Sequence, residues 1–552
     1  RPSSRTSGVA GEAGPPRPAA GAMGATGGGW GGELQGFEGE LWEPGDAGFS
    51  GALRAAAAAN AAVGGRRPAL LARPRGVSDV RRCVRAARAR ARSGGFPAGA
   101  APLSVRGGGH SELCLLDGAL AVDLSWGLSW VECDPGSCVV RCGGGATLKA
   151  LQEAAGEHGL ACPVGLHDTV GVGLLLQGGV GRLSRQHGLA VDNVLGVQIV
   201  TATGDVLALG EGFSAEPGAR SEGSRASQLL DDLWWCVRGA GPNFGVVTAV
   251  ALRVFPVGPV LHGRVPWRMP RGDPLEAAAA ALTRFEEAAR QLPCDQQVDF
   301  ILGTGAEGRP LGAFFPFSLE GRPFSGSAAR AMGFTRESAG SPDGPAGALE
   351  RGLFQSIPYP SLEGLVSKDA GAAQSGRGAD SGGGGAGAGA QTKALAYVRQ
   401  CFVDRLGAGG WQAILRAVLS APSDMAEVML QHAGGQVRAR NATDLAFSPR
   451  SWEFSVVVVA CWTEPSSQTR RANEAWANAT FDSLRPFATG LYAADIDPVR
   501  RPAGAADEVL QAFQENLPRL LELKRLHDPD GLFRGACPLV PPGVDRGVPL
   551  KG

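Results

Sequence analysis

The sequence predicts an α+β protein built in two unlike parts. In the first half, short apolar strand-like and helix-like runs are punctuated by glycine clusters, at Gly107-Gly108-Gly109, Gly143-Gly144-Gly145, Gly171-Val172-Gly173 and Gly178-Gly179-Val180-Gly181. After Pro256 the character changes. The stretch from 257 to 499 carries amphipathic helices such as Leu275 to Leu292 and apolar strands such as Glu453 to Trp462, the pattern of a sheet with helices packed on it. At 552 residues the chain has material for about two to four domains with large cores.

The elements follow in order. Residues 1–60 form a low-complexity N-terminal segment and lead-in; up to Gly32 they are too poor in apolar residues to offset chain entropy by burial. From Val77 a helix is expected, since Val77, Val80, Val84 and Ala87 share one face and arginines cover the others as a solvated surface. Leu103 to Gly109 reads as a buried strand and loop, and Ala119 to Leu124 and Cys138 to Cys142 as strands. Gly143-Gly144-Gly145-Ala146-Thr147 leads into a helix through Leu148, Leu151 and Ala155. Val194 to Thr201 and Val206 to Leu209 flank the turn Thr203-Gly204-Asp205 as a hairpin. The Gly/Ala/Ser-rich tract Ala370 to Ala390 is expected to be a flexible surface insertion without chemistry.

Composition excludes several classes. Fifty-three basic residues balance fifty-three acidic ones, so no nucleic acid or acidic membrane surface is indicated as a partner. No apolar run reaches the ~20 residues of a spanning helix. The eleven cysteines are scattered; Cys133, Cys138 and Cys142 approach a metal-ligand spacing but lack a fourth ligand nearby, which favours buried thiols or a disulfide over zinc. The sequons Asn441-Ala442-Thr443 and Asn478-Ala479-Thr480, with a start at Arg1 rather than methionine, leave the secretory pathway open.

The chemistry concentrates at the glycines. Residues without a Cβ let the main chain turn sharply and bring N–H groups close to an anion, so Arg106-Gly107-Gly108-Gly109-His110-Ser111 suits a pyrophosphate with a histidine beside it. Two further clusters, within Gly165 to Gly173 and Gly178 to Gly181, suggest a backbone wrapping a long phosphate-bearing cofactor.

Together these clusters resemble the FAD-binding domain of the p-cresol methylhydroxylase and vanillyl-alcohol oxidase type (PCMH-type), and in particular the berberine-bridge-enzyme-like oxidases. Arg66 to Pro74 is similar to that family's opening strand, Gly188 to Val197 to its central signature, Leu233 to Thr248 to the end of its flavin domain and Leu523 to Phe533 to its closing segment. His432-Ala433-Gly434-Gly435 and Asp444 to Arg450 resemble its substrate-domain strands. The resemblance implies two α+β subdomains binding FAD over 61–256, a substrate domain with a helix-covered antiparallel sheet over 257–499, and a return to the flavin domain over 500–552.

It also implies roles. His110 matches the histidine bonded covalently to a methyl group of the flavin ring, and Arg106, Gly107, Gly108, Gly109, Ser111, Gly165, Thr169, Gly171, Gly173, Gly178, Gly179, Gly181 and Val200 match cofactor-binding positions. Where many members carry a second linking cysteine stands His167, so one attachment point is expected; Cys162 lies close but out of register. Leu174 and Gln177 replace glycines, which places side chains where backbone and cofactor approach. Tyr492, with Asp495 or Asp497 as helper, matches the family's tyrosine above the flavin, whereas Ala494 replaces its asparagine; an unaided phenol, at pKa ~10, is a poor base. The implied activity is an FAD-dependent oxidase taking hydride from an alcohol-type or related carbon of a small organic substrate and reducing O₂ to peroxide. A dehydrogenase using another acceptor and a flavin-binding homologue without turnover are the alternatives.

Overall fold

The computed structural model describes residues 30, 32–57, 65–96, 101–213, 225–269, 275–304, 309–322, 324, 354–357, 359, 395–464, 466–496, 505–535 and 537–539. The glycine-rich tract of 370–390 and nearly all of 1–32 lie outside them.

The first sheet holds β1 (Glu40–Trp42), β2 (Leu70–Arg73), β3 (Leu103–Arg106) and β4 (Leu120–Asp123) in the order β1-β2-β4-β3. Both β2 and β3 run parallel to β4, which demands long crossovers. One crossover contains helix α2 (Val77–Arg92), after α1 (Phe49–Ala56) earlier in the chain. Val80, Val84 and Ala87 of α2 bury against Leu70, Leu103, Leu120 and Val122, while its arginines stay outside.

Strands β5 to β11 are Val131–Asp134, Val139–Gly143, Leu160–Ala161, Val194–Val200, Val206–Gly210, Val246–Arg253 and Phe255–Pro256. Five of them form an antiparallel sheet in the order β5-β6-β10-β8-β9, and β7 pairs with β11. Helices α3 (Leu148–Gly156) and α4 (Arg225–Ala240) supply Leu148, Leu151, Leu233 and Cys236 to the core beneath it.

Strands β12 to β20 are Val260–Gly263, Val265–Arg268, Gln296–Thr304, Pro310–Ser318, Phe354–Ile357, Leu395–Val403, Glu427–His432, Phe454–Trp462 and Ala488–Leu491. They form one nine-stranded antiparallel sheet. Because strand side chains alternate, its two faces differ. Phe300 and Phe314 point to the helices α5 (Leu275–Ala289) and α6 (Gly407–Leu419), where they pack on Phe285 and Trp411. The buried Glu286 carboxylate of α5 accepts from the Leu406 and Gly407 N–H groups at the start of α6 and from Trp411 Nε1, fixing that layer. The opposite face carries Ile301, Ala313, Phe315, Met429 and Val457, which pack around Leu166 of the first half of the chain.

Two ionic clamps hold that face in place. Arg450 forks onto both oxygens of Asp192 at 2.9 Å. Arg185 reaches Glu453 at 2.8 Å, the Gln296 and Leu292 carbonyls, His432 and the Ala433 carbonyl. After α7 (Ser467–Leu484), helices α8 (Ala505–Phe513) and α9 (Leu517–His527) bring the chain back toward its first half: Lys524 Nζ donates to the Asn243 and Phe533 carbonyls, and Arg88 pairs with Asp530.

All eleven cysteines are free thiols, and Cys142 is buried in the β5–β6 hairpin. Of the two sequons, Asn441 is exposed, whereas Asn478 lies within α7 and accepts from Tyr397.

Candidate flavin site

At the end of β3 the chain must turn, and the turn closes on a distant glycine. A Cβ on Gly108 would stand 2.1 Å from the Gly171 nitrogen, and one on Gly171 would stand 2.2 Å from that of Gly108. Only glycine at both positions allows this backbone contact. Gly109 adopts φ +79°, which delivers His110 to the far side of the joint. There His110 Nε2 lies 2.8 Å from Thr169 Oγ1. The loop after Thr169 is pinned in turn: Thr147 bridges Gly171, Leu148 N–H donates to the Val170 carbonyl and Val172 N–H to that of Ala146.

His110, His167 and Thr169 are exposed along one groove, and a Cβ on Gly173 would meet nothing within 4 Å. The walls desolvate both imidazoles enough to lower their pKa; His167 further lowers that of His110, and Asp168 partly offsets the effect at His167. Both shifts favour the neutral ring. Touching main chains, an open glycine and an imidazole steadied by a hydroxyl fit a bound FAD.

Several residues expected to touch the cofactor have other partners. Arg106 is buried, with Nε on the Ala56 carbonyl at 3.1 Å and Nη1 on Asp123 at 3.0 Å, so it braces the loop from behind. Val200 is buried among Val122, Val246 and Phe533 in the first core. Ser111 Oγ accepts from Leu113 N–H and shapes the exit from the loop. Gly165 and Gly181 serve protein packing: a Cβ on Gly181 would stand 1.8 Å from the Val164 carbonyl, and one on Gly165 would stand 2.9 Å from Leu174 Cδ2. Leu174 thus fills space beside Gly165, and Gln177 folds back to donate to the Gly173 carbonyl. Cys162 is buried with its thiol on the Leu151 carbonyl, away from the groove.

Tyr492 and Asp495 take different partners, although the Asp495 charge still acts on the Tyr492 phenol. Tyr492 sits among Phe402, Phe447 and Trp452, and its oxygen accepts the Gly179 N–H at 2.8 Å; a Cβ on Gly178 would strike its ring. Burial pushes the phenol well above its ordinary pKa, so as placed it braces the Gly178-Gly179 turn. Asp495, raised to about 7 by burial against the lowering influence of Arg399, looks toward a guanidinium that lies over the Phe481 ring and pairs with Glu508. Asp497 lies outside the described residues. Tyr492→Phe strands a buried N–H, with an expected destabilisation of about 1–3 kcal/mol in chemical denaturation; an unchanged midpoint would show the bond to be idle.

A carboxylate that the sequence did not single out lies on the sheet face that packs on Leu166, the neighbour of His167. Asp299 on β14 accepts from His432 N–H at 2.9 Å, and burial lifts its pKa to about 6 against the lowering influence of Arg182. It pairs across the sheet with Phe315, on the face that meets Leu166. The available signal was the polar alternation Gln297-Val298-Asp299 opening an otherwise apolar strand.

With that geometry in view, comparison with known proteins is decisive for the domain. Residues 68–210 match the family described as FAD binding domain. Over those residues the chain carries an FAD binding domain. (R)-6-hydroxynicotine oxidase of Paenarthrobacter nicotinovorans is 36% identical over 236 residues, 42% of this chain and 44% of that protein. The matched region therefore spans less than half of that relative. The crystal structure of 6-hydroxy-D-nicotine oxidase from Arthrobacter nicotinovorans covers 91% of this chain and 98% of its own with TM-score 0.65 and 24% identity. Berberine bridge enzyme from Eschscholzia californica covers 91% and 97% with TM-score 0.69 and 19% identity. The FAD-binding domain and the sheet above it thus share the fold of these enzymes.

Proposed function

We propose that the protein is an FAD-dependent oxidoreductase, and specifically an oxidase that takes hydride from an alcohol-type or related carbon of a small organic substrate and passes the electrons to O₂ as peroxide. The observation that carries this reading is the apposition of His110 and Thr169 across the Gly108–Gly171 joint. FAD, when bound, supplies hydride acceptance. The chain supplies the rest. His110 is the attachment residue, and the Thr169 hydroxyl orients its ring. The Gly107-Gly108-Gly109 loop with Gly171 and Gly173 receives the dinucleotide, while Tyr492 steadies the Gly178-Gly179 turn. Asp299, ionised above about pH 6 and set on the face toward Leu166, is the proton acceptor in place of Tyr492 or Asp495.

His110→Ala is expected to move the flavin from the acid-precipitated pellet to the supernatant and to abolish the flavin-bearing peptide in a digest. Yellow pellets from this variant would place the link elsewhere. Peroxide release during turnover distinguishes the oxidase from a dehydrogenase, in which a dye is reduced without peroxide. Purified protein that stays colourless with added FAD, and is reduced by no substrate, would leave only a binding or scaffold role. Because the acceptor must be ionised to take a proton, flavin reduction should rise as pH increases through about 6, in stopped-flow traces under anaerobic conditions.

A further inference from the structure

Directly after Gly181, where the flavin domain meets the sheet, Arg182 is 3% exposed, yet both Nη1 and Nη2 lack a hydrogen-bond partner, and it forms no ion pair among the described residues. A guanidinium withdrawn from water with its fork empty is strongly unfavourable, and such groups are normally paired. The next residue, Leu183, packs on Val260 and Phe317 of the sheet. In the sheet register Phe317 stands between His262 on β12 and Gln297 on β14, which places those two side chains on the same face. Each also holds an unpartnered buried atom, Nδ1 of His262 and Oε1 of Gln297, at 8% and 3% exposure. Arg182 lies close enough to influence His167 in the flavin groove, His262 and Asp299, so the cluster connects to the site already described. The Gln297 amide nitrogen is turned to Asp299, which fixes its oxygen as the orphan.

The complement is specific. Two parallel N–H donors of an unpaired guanidinium match a carboxylate, and an orphaned amide oxygen calls for a donor a short distance away. We infer that Arg182, with His262 and Gln297, is a subsite for a carboxylate whose neighbouring hydroxyl or amine reaches Gln297, so that the substrate of the proposed oxidation is a small hydroxy or amino acid. This rests on the oxidoreductase reading for its reaction, though not for its binding.

The test uses the flavin-loaded full chain and the matched probes glycolate, gluconate and mandelate, each against its methyl ester or lactone, read by the flavin difference spectrum and by thermal melting. At least one acid should bind about tenfold or more tightly than its neutral partner, as expected for a charge-assisted fork, and should raise the melting temperature. In Arg182→Met that preference should vanish, and the ligand-free variant should melt above the wild type because an unpaired buried charge is gone. Arg182→Lys should restore part of the preference through charge without the fork. If none of the acids binds better than its neutral partner, or if Arg182→Met keeps the preference, the subsite is wrong. Loss of FAD from Arg182→Met would assign the guanidinium to the cofactor and overturn it as well. A wild type that takes up no flavin, or that no substrate reduces, would sink the oxidoreductase reading, while acid-selective melting shifts would still report the subsite.

Discussion

Replacing Asp299 by asparagine is expected to slow flavin reduction by about 10²–10⁴-fold, the usual contribution of a positioned general base, with FAD content unchanged. The amide keeps the shape and can still accept the His432 N–H that Asp299 accepts at 2.9 Å, so the fold has little reason to respond. What disappears is a carboxylate whose pKa of about 6 lets it be ionised at neutral pH and still take a proton. That value comes from burial, which raises it, opposed first by Arg182 and then by the hydrogen bonds from His432 and Gln297. Accordingly, the ascending limb of the pH–rate profile near 6 should vanish in the variant. Anaerobic stopped-flow decides the matter: an undiminished rate, or an ascending limb that persists, removes Asp299 from the reaction.

Gly108→Ala is expected to be the most damaging single-methyl change in the flavin loop. Its Cβ would fall 2.1 Å from the Gly171 nitrogen and 2.7 Å from the Gly171 Cα, against main chain that no rotamer change can move aside. Overpacking of this kind costs typically 1–3 kcal/mol, and a backbone-to-backbone clash belongs at the upper end, about 3 kcal/mol. The two loops must part, taking His110 away from Thr169, so the variant should be purified with little flavin. Gly173→Ala is the contrasting control, since its Cβ would meet nothing within 4 Å and the apoprotein should melt as the wild type does. Normal melting and full flavin content in Gly108→Ala would show that the joint is not as close as described.

Part of this site was legible in the sequence because local chemistry demanded it. A backbone contact at Gly108 and Gly171 admits no other residue, so the requirement is written as glycine. The histidine after the third glycine, and Thr169 two residues before Gly171, are local facts in the same sense. The helix from Val77 is local too, its period fixed by which face must be buried. Other glycines answer to partners distant in sequence. Gly178, Gly179 and Gly181 look like a cofactor loop, yet their missing side chains are required by Tyr492, Ala190 and the Val164 carbonyl, partners that no sequence spacing announces. Arg106 likewise sits beside the loop but faces Asp123, seventeen residues on.

By itself, then, the sequence determined the α+β plan and the glycine joint beside His110, because turns and strand periodicity depend on near neighbours. Tertiary structure alone decided which polar groups look into the site. Tyr492 and Asp495 are three residues apart yet take different partners, the Gly179 N–H for the phenol and the Arg399 charge for the carboxyl. Asp299 and Arg182, more than a hundred positions apart, fall within reach of each other's charge because strand alternation turns Asp299 toward the face that meets Leu166 and because Arg185 and Arg450 clamp that face. Burial sets both the proton affinity of that carboxyl and the unmet demand of that guanidinium, and burial is a property of the assembled layers.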